Sequence, residues 1–263
     1  MTTKKRVSLI NIFGVFLMMG ASVGAQAGLF GIGGVSWKEE VLLHDGSKIV
    51  VERKVERGGR HEIGQQPPYK VQSLSFTFPG TTQEIVWEDN FSEDVGSANF
   101  LPLLLDIRNT TSYLVVSPMG CLSYNKWGRP NPPYVVFRYQ GKEWQRIPLQ
   151  ELPADIRSPN LIFSDPDNVV KKIGKGLIPA DTIQQINSRY RQPEYRSILR
   201  EPIKPGTEGS AVNCEEKIPY GKSGWLGLDW FTDQPSYDSC LKFCEKKGVS
   251  PKHCPCDRIF GRQ

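Results

Sequence analysis

The chain has 263 residues, 38% of them hydrophobic, and its 33 Lys and Arg against 28 Asp and Glu give a formal net charge of +5. Lys4, Lys5 and Arg6 supply three of these charges, so a chain that starts after residue 27 carries only +2. Nucleic-acid binding requires a dense cationic face, so this small charge excludes nucleic acid as the expected partner.

The first 27 residues have the order of a cleavable secretory signal. Three cations at 4–6 precede an apolar stretch, 7–19, which is too short and too interrupted for a comfortable membrane span. Ala25-Gln26-Ala27 then fits the small-x-small cleavage rule. We predict a signal peptide over 1–27, a mature chain that starts at Gly28, and a periplasmic or secreted location. The alternative is an uncleaved membrane anchor. No transmembrane segment is expected after cleavage.

Residues 28–150 have the pattern of an antiparallel β domain. Runs rich in Val, Ile, Phe, Tyr and Trp flank four turn signals, each of which predicts a hairpin. The turn signals are His44-Asp45-Gly46-Ser47, Pro79-Gly80, the region near Asn109, and Gln140-Gly141. Four hairpins give about eight strands, enough for an antiparallel β-sandwich or a small barrel. The expected fold class is therefore α+β, mainly β.

The character of the chain changes after the predicted sheet. Residues 151–205 indicate short helices packed on the sheet, since Ile178, Ile183 and Ile186 have helical spacing. Glycine and proline signals then predict a linker over 206–235. A cysteine-rich module follows over 236–263, too small to bury a sufficient core without covalent links.

Four of the six cysteines lie in CLKFCEKKGVSPKHCPC, residues 240–256. Cys240 and Cys244 are four apart and share a face of a predicted helix, for which Ser236 suits the N-cap and Gly248 the C-cap. Cys254 and Cys256 are two apart and share a face of an extended segment.

These spacings predict two side-by-side disulfides, Cys240 to Cys254 and Cys244 to Cys256. The even count lets Cys121 pair with Cys214, although six cysteines allow 15 connectivities. Zinc bound by the thiolates, with or without His253, and a redox-active pair are the alternatives. An oxidising compartment favours disulfides, so we expect no metal and no cofactor. The segment also resembles the cystine-stabilised helix and strand motif of defensin-like miniproteins, without their further cysteines and second strand, and this resemblance implies no activity.

One loop of the β domain carries the candidate ligand-binding residues. Within SPMGCLSYNKWGRPNPPYVVFRY, residues 117–139, Tyr124, Trp127 and Arg129 precede a stiff proline-rich stretch that can present an aromatic ring and a cation. The alternative, which we favour, is that Trp127 covers the end of the core. The same question applies to Trp225, Trp230 and Phe231 in GWLGLDWF, beside the cysteine-rich module.

Arg60, His61 and Glu62 form the one charged cluster with a histidine that merits inspection as a catalytic site. The sequence begins like a HExxH zinc helix, but Gln65 stands where the second histidine belongs, and a surface loop is the favoured interpretation. We identify no catalytic residue. A pair of carboxylates across a cleft would suffice for a glycosidase-like hydrolase, and sequence spacing alone does not identify such a pair.

Three segments resemble a group of exported bacterial proteins that have no assigned activity. The segments are WKEEVLLHDGSKIVVER at 37–53, RGGRHE at 57–62 and CLSYNKWGRPNPPYV at 121–135. The similarity runs from Trp37 to about Cys214, and the four-cysteine tail looks like an addition. The resemblance implies export and nothing catalytic.

We therefore expect an exported, disulfide-bonded, non-catalytic binding or structural module of the cell envelope, with an envelope or extracellular ligand. The alternatives are a carboxylate-dependent envelope hydrolase and a toxin-like C-terminal module that acts on a partner or membrane. A concave site with convergent polar groups would favour an enzyme, whereas an exposed aromatic patch would favour binding.

Overall fold

The computed structural model describes residues 34–174 and 176–262. The predicted signal peptide, 1–27, and the predicted start at Gly28 lie outside these residues. The described chain is mainly β, with short helices after the sheets and a disulfide-linked C-terminal segment, as the sequence predicts.

The described residues form eleven strands and seven α-helices. The first eight strands are β1 (Val35–Leu42), β2 (Lys48–Arg57), β3 (Tyr69–Thr77), β4 (Glu84–Asn90), β5 (Phe100–Arg108), β6 (Thr111–Pro118), β7 (Val135–Gln140) and β8 (Glu143–Ile147). The remaining strands are β9 (Leu177–Ile178), β10 (Lys217–Tyr220) and β11 (Gly224–Gly227). The helices are α1 (Gly120–Lys126), α2 (Pro166–Ile173), α3 (Ala180–Asn187), α4 (Pro193–Arg196), α5 (Asp229–Thr232), α6 (Tyr237–Lys247) and α7 (Cys256–Ile259).

Two sheets pack face to face around the main core. One has the strand order β4-β3-β2-β1-β9 and the other the order β5-β6-β7-β8. Val51, Leu74 and Trp87 of the first sheet share one buried cluster with Leu114 and Val135 of the second. The sheets are not closed into a barrel, so of the two predicted architectures the sandwich is the one found. All four predicted hairpin turns join consecutive antiparallel strands.

The side chain of Trp144 connects one open edge of each sheet. The strands β4 and β8 each lie at an edge. The indole nitrogen of Trp144, on β8, donates a hydrogen bond of 2.8 Å to the carbonyl oxygen of Val86, on β4. The ring of Trp144 also meets the ring of Tyr139 edge-on, with centroids 5.3 Å apart.

Short helices cover the sandwich, as predicted for residues 151–205. Ile183 of α3 and Val170 of α2 pack in a second cluster with Trp37 of β1. Ile178 does not belong to the predicted helical pattern: it lies in β9, which pairs parallel to β1. Pro179 explains the difference, because it has the extended conformation that separates β9 from α3.

The predicted linker over 206–235 is wrong for most of its length. Strands β10 and β11 form a hairpin, and α5 follows it. Ile218 and Phe231 from these elements are buried together with Cys240 and Cys244 in one cluster. The glycine and proline residues of this segment favoured a linker, but Ile218 and Phe231 contribute apolar side chains to the core of the C-terminal module. The module therefore begins at Lys217.

The helix α6 ends where the sequence predicts. Ser236 Oγ accepts a hydrogen bond of 3.2 Å from the backbone N–H of Ser239, which caps the first turn. Gly248 follows the last helical residue with φ of 69°, a left-handed conformation that glycine adopts without steric penalty.

Candidate functional site

Three hairpin turns of the sandwich meet at one end and enclose a groove of about 570 Å³. The turns join β3 to β4, β5 to β6, and β7 to β8. Gly80 and Gly141 have φ of 74° and 71°, which keeps two of these turns tight. The eleven residues that line this end groove are Phe78, Thr81, Gln83, Ile85, Thr110, Thr111, Tyr113, Arg138, Tyr139, Gln140 and Gly141.

The floor of the end groove is apolar and aromatic. Ile85 is buried, and Phe78 and Tyr139 pack against the main core with part of each ring exposed. Trp144 fixes the ring of Tyr139 from the side. The floor is therefore a preformed surface on which a flat apolar face can stack.

Exposed amide and hydroxyl groups surround this floor. The side chains of Gln83, Thr110 and Gln140 are exposed to solvent and can donate and accept hydrogen bonds. The exposed hydroxyl of Thr81 already donates a 2.9 Å hydrogen bond to the carbonyl oxygen of Phe78. Among the described lining residues there is no Asp or Glu. Arg138 is the one cation among these described residues, and its guanidinium donates a 3.0 Å hydrogen bond to the carboxylate of Glu151. The groove is consequently close to electrically neutral.

No protein-family model, characterised protein or solved structure matches the chain.

The candidate ligand-binding residues Tyr124, Trp127 and Arg129 are engaged in packing. Tyr124 is buried. Trp127 lies against Phe100, with ring centroids 4.5 Å apart, and covers one edge of the main core. Arg129 donates a 2.8 Å hydrogen bond to the carbonyl oxygen of Cys214. This geometry favours the capping role, and a ligand role for the three residues stays a prediction.

Arg60, His61 and Glu62 lie in the exposed loop between β2 and β3. His61 Nδ1 is 3.0 Å from the carbonyl oxygen of Gly59, and Glu62 accepts a 3.2 Å hydrogen bond from Gln65. The loop has no helix in which a HExxH-type arrangement would form. The arrangement matches the favoured surface-loop interpretation.

Two of the buried carboxylates, those of Asp89 and Glu39, are occupied by donors from the protein itself. Asp89 accepts hydrogen bonds from the backbone N–H groups of Asn99 and Phe100, both at 2.8 Å, and from Gln72 at 2.9 Å. Burial nevertheless raises the pKa of Asp89. Glu39 lies 3.3 Å from the guanidinium of Arg53, both fully buried, and burial raises the pKa of Glu39.

Asp167 joins α2 to the first sheet. It accepts two hydrogen bonds from Arg57, at 3.0 and 2.8 Å, and one of 2.6 Å from the hydroxyl of Tyr69. Burial alone would raise the pKa of Asp167, but these bonds outweigh it and lower the pKa to about 2. The three contacts arise from residues about 100 apart in sequence, which local patterns do not reveal.

His44 is held between two carboxylates. Its Nδ1 lies 2.6 Å from Asp106 Oδ1, and its Nε2 lies 3.8 Å from Asp155 Oδ2. Burial raises the pKa of Asp106. An imidazole oriented by a carboxylate is half of a general-base arrangement, but here the second nitrogen faces another carboxylate and not a nucleophile. No sequence pattern joins His44, which lies in a predicted turn, to Asp106, 62 residues later, so this cluster was not predicted.

The three disulfides involve all six cysteines, and one of the three predicted pairings is confirmed. Cys121 bonds to Cys214, with Cα atoms 5.4 Å apart. The other bonds join Cys240 to Cys256 and Cys244 to Cys254, each with Cα atoms 5.9 Å apart. The predicted pairs Cys240 to Cys254 and Cys244 to Cys256 are therefore wrong.

The backbone at Pro255 explains the exchange of partners. Pro255 has ψ of 5°, and Cys256 is the first residue of α7, so Cys254 and Cys256 do not lie on one face of a strand. After α6 the chain turns back along the helix and passes the C-terminal turn of α6 before its earlier turns. Cys254 therefore bonds the later helix position, Cys244, and Cys256 reaches Cys240. The two bridges lie against each other, with Sγ atoms of Cys254 and Cys256 3.3 Å apart.

Cys240, Cys244 and Cys256 also lie close enough together to hold a metal ion. Each of these sulfur atoms is in a disulfide, and thiolate is the form that binds zinc. The cluster is thus a pair of covalent links in this structure.

Among the described helices, none has both the length and the apolar character needed to cross a membrane.

Proposed function

We propose that this chain is an exported, non-catalytic binding protein of the cell envelope, and that its end groove binds an uncharged carbohydrate. The composition of the groove supports this proposal most directly. A partly aromatic floor is surrounded by exposed amide and hydroxyl groups, and the described lining residues include no carboxylate.

Sugars suit this composition for a physical reason. A pyranose ring has an apolar face of C–H groups, which stacks on Phe78 or Tyr139, and a rim of hydroxyls that pair with amides and hydroxyls such as Gln83 and Thr110. Because the charge of Arg138 is paired with Glu151, an uncharged ligand that enters the groove desolvates little net charge.

Export is proposed on separate grounds. Three disulfides use all six cysteines, and such bonds persist in oxidising compartments. The signal-like N-terminus and the resemblance to exported bacterial proteins agree with them.

The proposal is tested by isothermal titration of the purified protein with two uncharged probes, cellotetraose and the tetramer of N-acetylglucosamine. We expect one of them to bind with a Kd below about 1 mM. Replacing both exposed amides, Gln83→Ala with Gln140→Ala, should weaken binding about tenfold, because two hydrogen bonds to the sugar are lost.

A second variant, Tyr139→Leu, keeps apolar volume but removes the ring face, and it should weaken binding by a similar factor. Trp127→Phe, outside the groove, is the control and should bind as the parent does. Absence of binding by both probes at about 10 mM, or unchanged binding in the double amide variant, would contradict the proposal.

A further inference from the structure

The C-terminal module displays a large aromatic side chain to solvent. Trp230 of α5 is 52% exposed. Its ring is nearly parallel to that of Phe243 on α6, with an interplanar angle of 16° and centroids 6.4 Å apart. Lys247 Nζ lies 5.6 Å from both ring centroids. We call Trp230, Phe243 and Lys247 the aromatic platform.

The module holds this platform rigidly. Phe231, the neighbour of Trp230, is fully buried and meets Phe243 edge-on at 5.2 Å. The side-chain amide of Gln234 donates a 3.0 Å hydrogen bond to the carbonyl oxygen of Trp230. Two disulfides bind α6 to the segment that follows it. Trp230 is therefore held in a fixed, exposed position. Little side-chain conformational entropy is lost when it binds a partner.

Within the described residues, the net positive charge lies in the same module. Residues 217–262 contain eight Lys and Arg against five Asp and Glu, whereas residues 34–216 contain 22 against 23. Lys242 and Lys246 are exposed on α6, and Lys252 is exposed in the segment that follows this helix. Within the described chain, the ion pairs of this module are made by Lys217 and Arg258, which leaves these three lysines without a carboxylate partner.

We propose that the C-terminal module binds the surface of an anionic lipid bilayer, with Trp230 at the level of the headgroups. Tryptophan prefers this interface because its ring is apolar and its N–H is polar. Unpaired lysines are drawn to anionic headgroups. A second copy of the module carries the same positive charge and is repelled, so charge complementarity selects the bilayer.

The test is co-sedimentation of the purified protein with vesicles. One set is phosphatidylcholine with about 30% phosphatidylglycerol, and the other is phosphatidylcholine alone. We expect at least about tenfold stronger binding to the anionic vesicles, and a loss of binding as salt rises, because salt screens the attraction. Trp230→Ala removes the ring that enters the headgroup region and should reduce binding to the anionic vesicles about tenfold. The variant should still fold, since the exposed ring contributes little to the stability of the module.

A matched pair of variants separates a local charge effect from net charge. The triple variant Lys242→Gln, Lys246→Gln, Lys252→Gln should lose most of the binding. The control triple variant Lys38→Gln, Lys70→Gln, Lys142→Gln removes the same charge from exposed positions of the sandwich and should bind as the parent does. Equal binding to both vesicle types, unchanged binding by Trp230→Ala, or equal losses in the two triple variants would overturn the proposal. Gln83→Ala with Gln140→Ala should leave vesicle binding intact, so this result is independent of the end groove.

Discussion

Asp167 is the residue on which the attachment of α2 depends. Its carboxylate has 1% exposure and accepts bonds from Arg57 and Tyr69, two residues of the first sheet. The neighbouring Asp165 also contacts Arg57, at 3.1 Å, but its side chain is 65% exposed. The two aspartates therefore differ in environment while they share a partner.

The stability of the protein should depend on the charge of Asp167. Its pKa is about 2 in the folded chain, below the value of about 3.9 for an unfolded aspartate. A lowered pKa stabilises the fold above about pH 4, and that contribution is lost as the pH falls toward 2. Asp167→Asn should therefore lower the free energy of unfolding at pH 7 by about 2 kcal/mol and flatten its fall between pH 4 and 2.

Urea unfolding at several pH values measures both effects. Asp165→Asn is the matched control and should change stability by less than about 0.5 kcal/mol, because exposed ion pairs contribute little. If parent and Asp167→Asn lose the same stability between pH 4 and 2, the assigned role of Asp167 is wrong.

At the level of the elements, local signals account for what the sequence predicts well. The helix α6 is bounded by Ser236 and Gly248, whose side-chain cap and left-handed backbone act within one turn. The disulfide partners of its cysteines depend on the path of the backbone after Gly248. The spacing of the cysteines in the sequence does not determine that path. The first eight strands, β1 to β8, are predictable because local turn residues specify each hairpin, whereas the end groove requires three turns to meet and is not predictable in this way.

The C-terminal disulfides should stabilise their module more than the sandwich. The bond from Cys240 to Cys256 closes a loop of 16 residues, which in the chain-entropy estimate is worth about 3 kcal/mol. Cys240→Ser with Cys256→Ser should therefore lower the protection of residues 217–262 in hydrogen exchange and leave that of β1 to β8 unchanged.

Partial reduction and alkylation, followed by mass spectrometry, checks the pairing in the parent protein. Recovery of Cys240 joined to Cys254 would contradict the pairing described here. The control variant Cys121→Ser with Cys214→Ser should keep the module protected, since this bond lies outside it.

Across the whole molecule, the two proposed binding surfaces differ in charge and in position along the chain. The neutral end groove belongs to the sandwich, and the basic platform belongs to residues 217–262. A binding protein of the envelope with both surfaces would hold a carbohydrate while it rests on a lipid surface.

Export has its own direct test at the N-terminus. N-terminal sequencing of the protein recovered from a bacterial host should begin at Gly28, because Ala25-Gln26-Ala27 fits the cleavage rule. Ala25→Leu with Ala27→Leu removes the small residues and should block processing. An intact Met1 chain in the membrane fraction of the parent would instead support the uncleaved anchor.

The hydrogen bond from Trp144 to the carbonyl oxygen of Val86 has a consequence for the behaviour of this protein at high concentration. A strand at the edge of a sheet offers unpaired N–H and C=O groups to the strands of other molecules, which is a route to fibres. Trp144 occupies one such carbonyl on β4 and, because it belongs to β8, keeps the two edges beside each other. Glu84 and Glu88 add exposed negative charge along β4. One indole ring and two carboxylates should thus oppose the pairing of β4 with a strand of another molecule, at an edge that a closed barrel would not have.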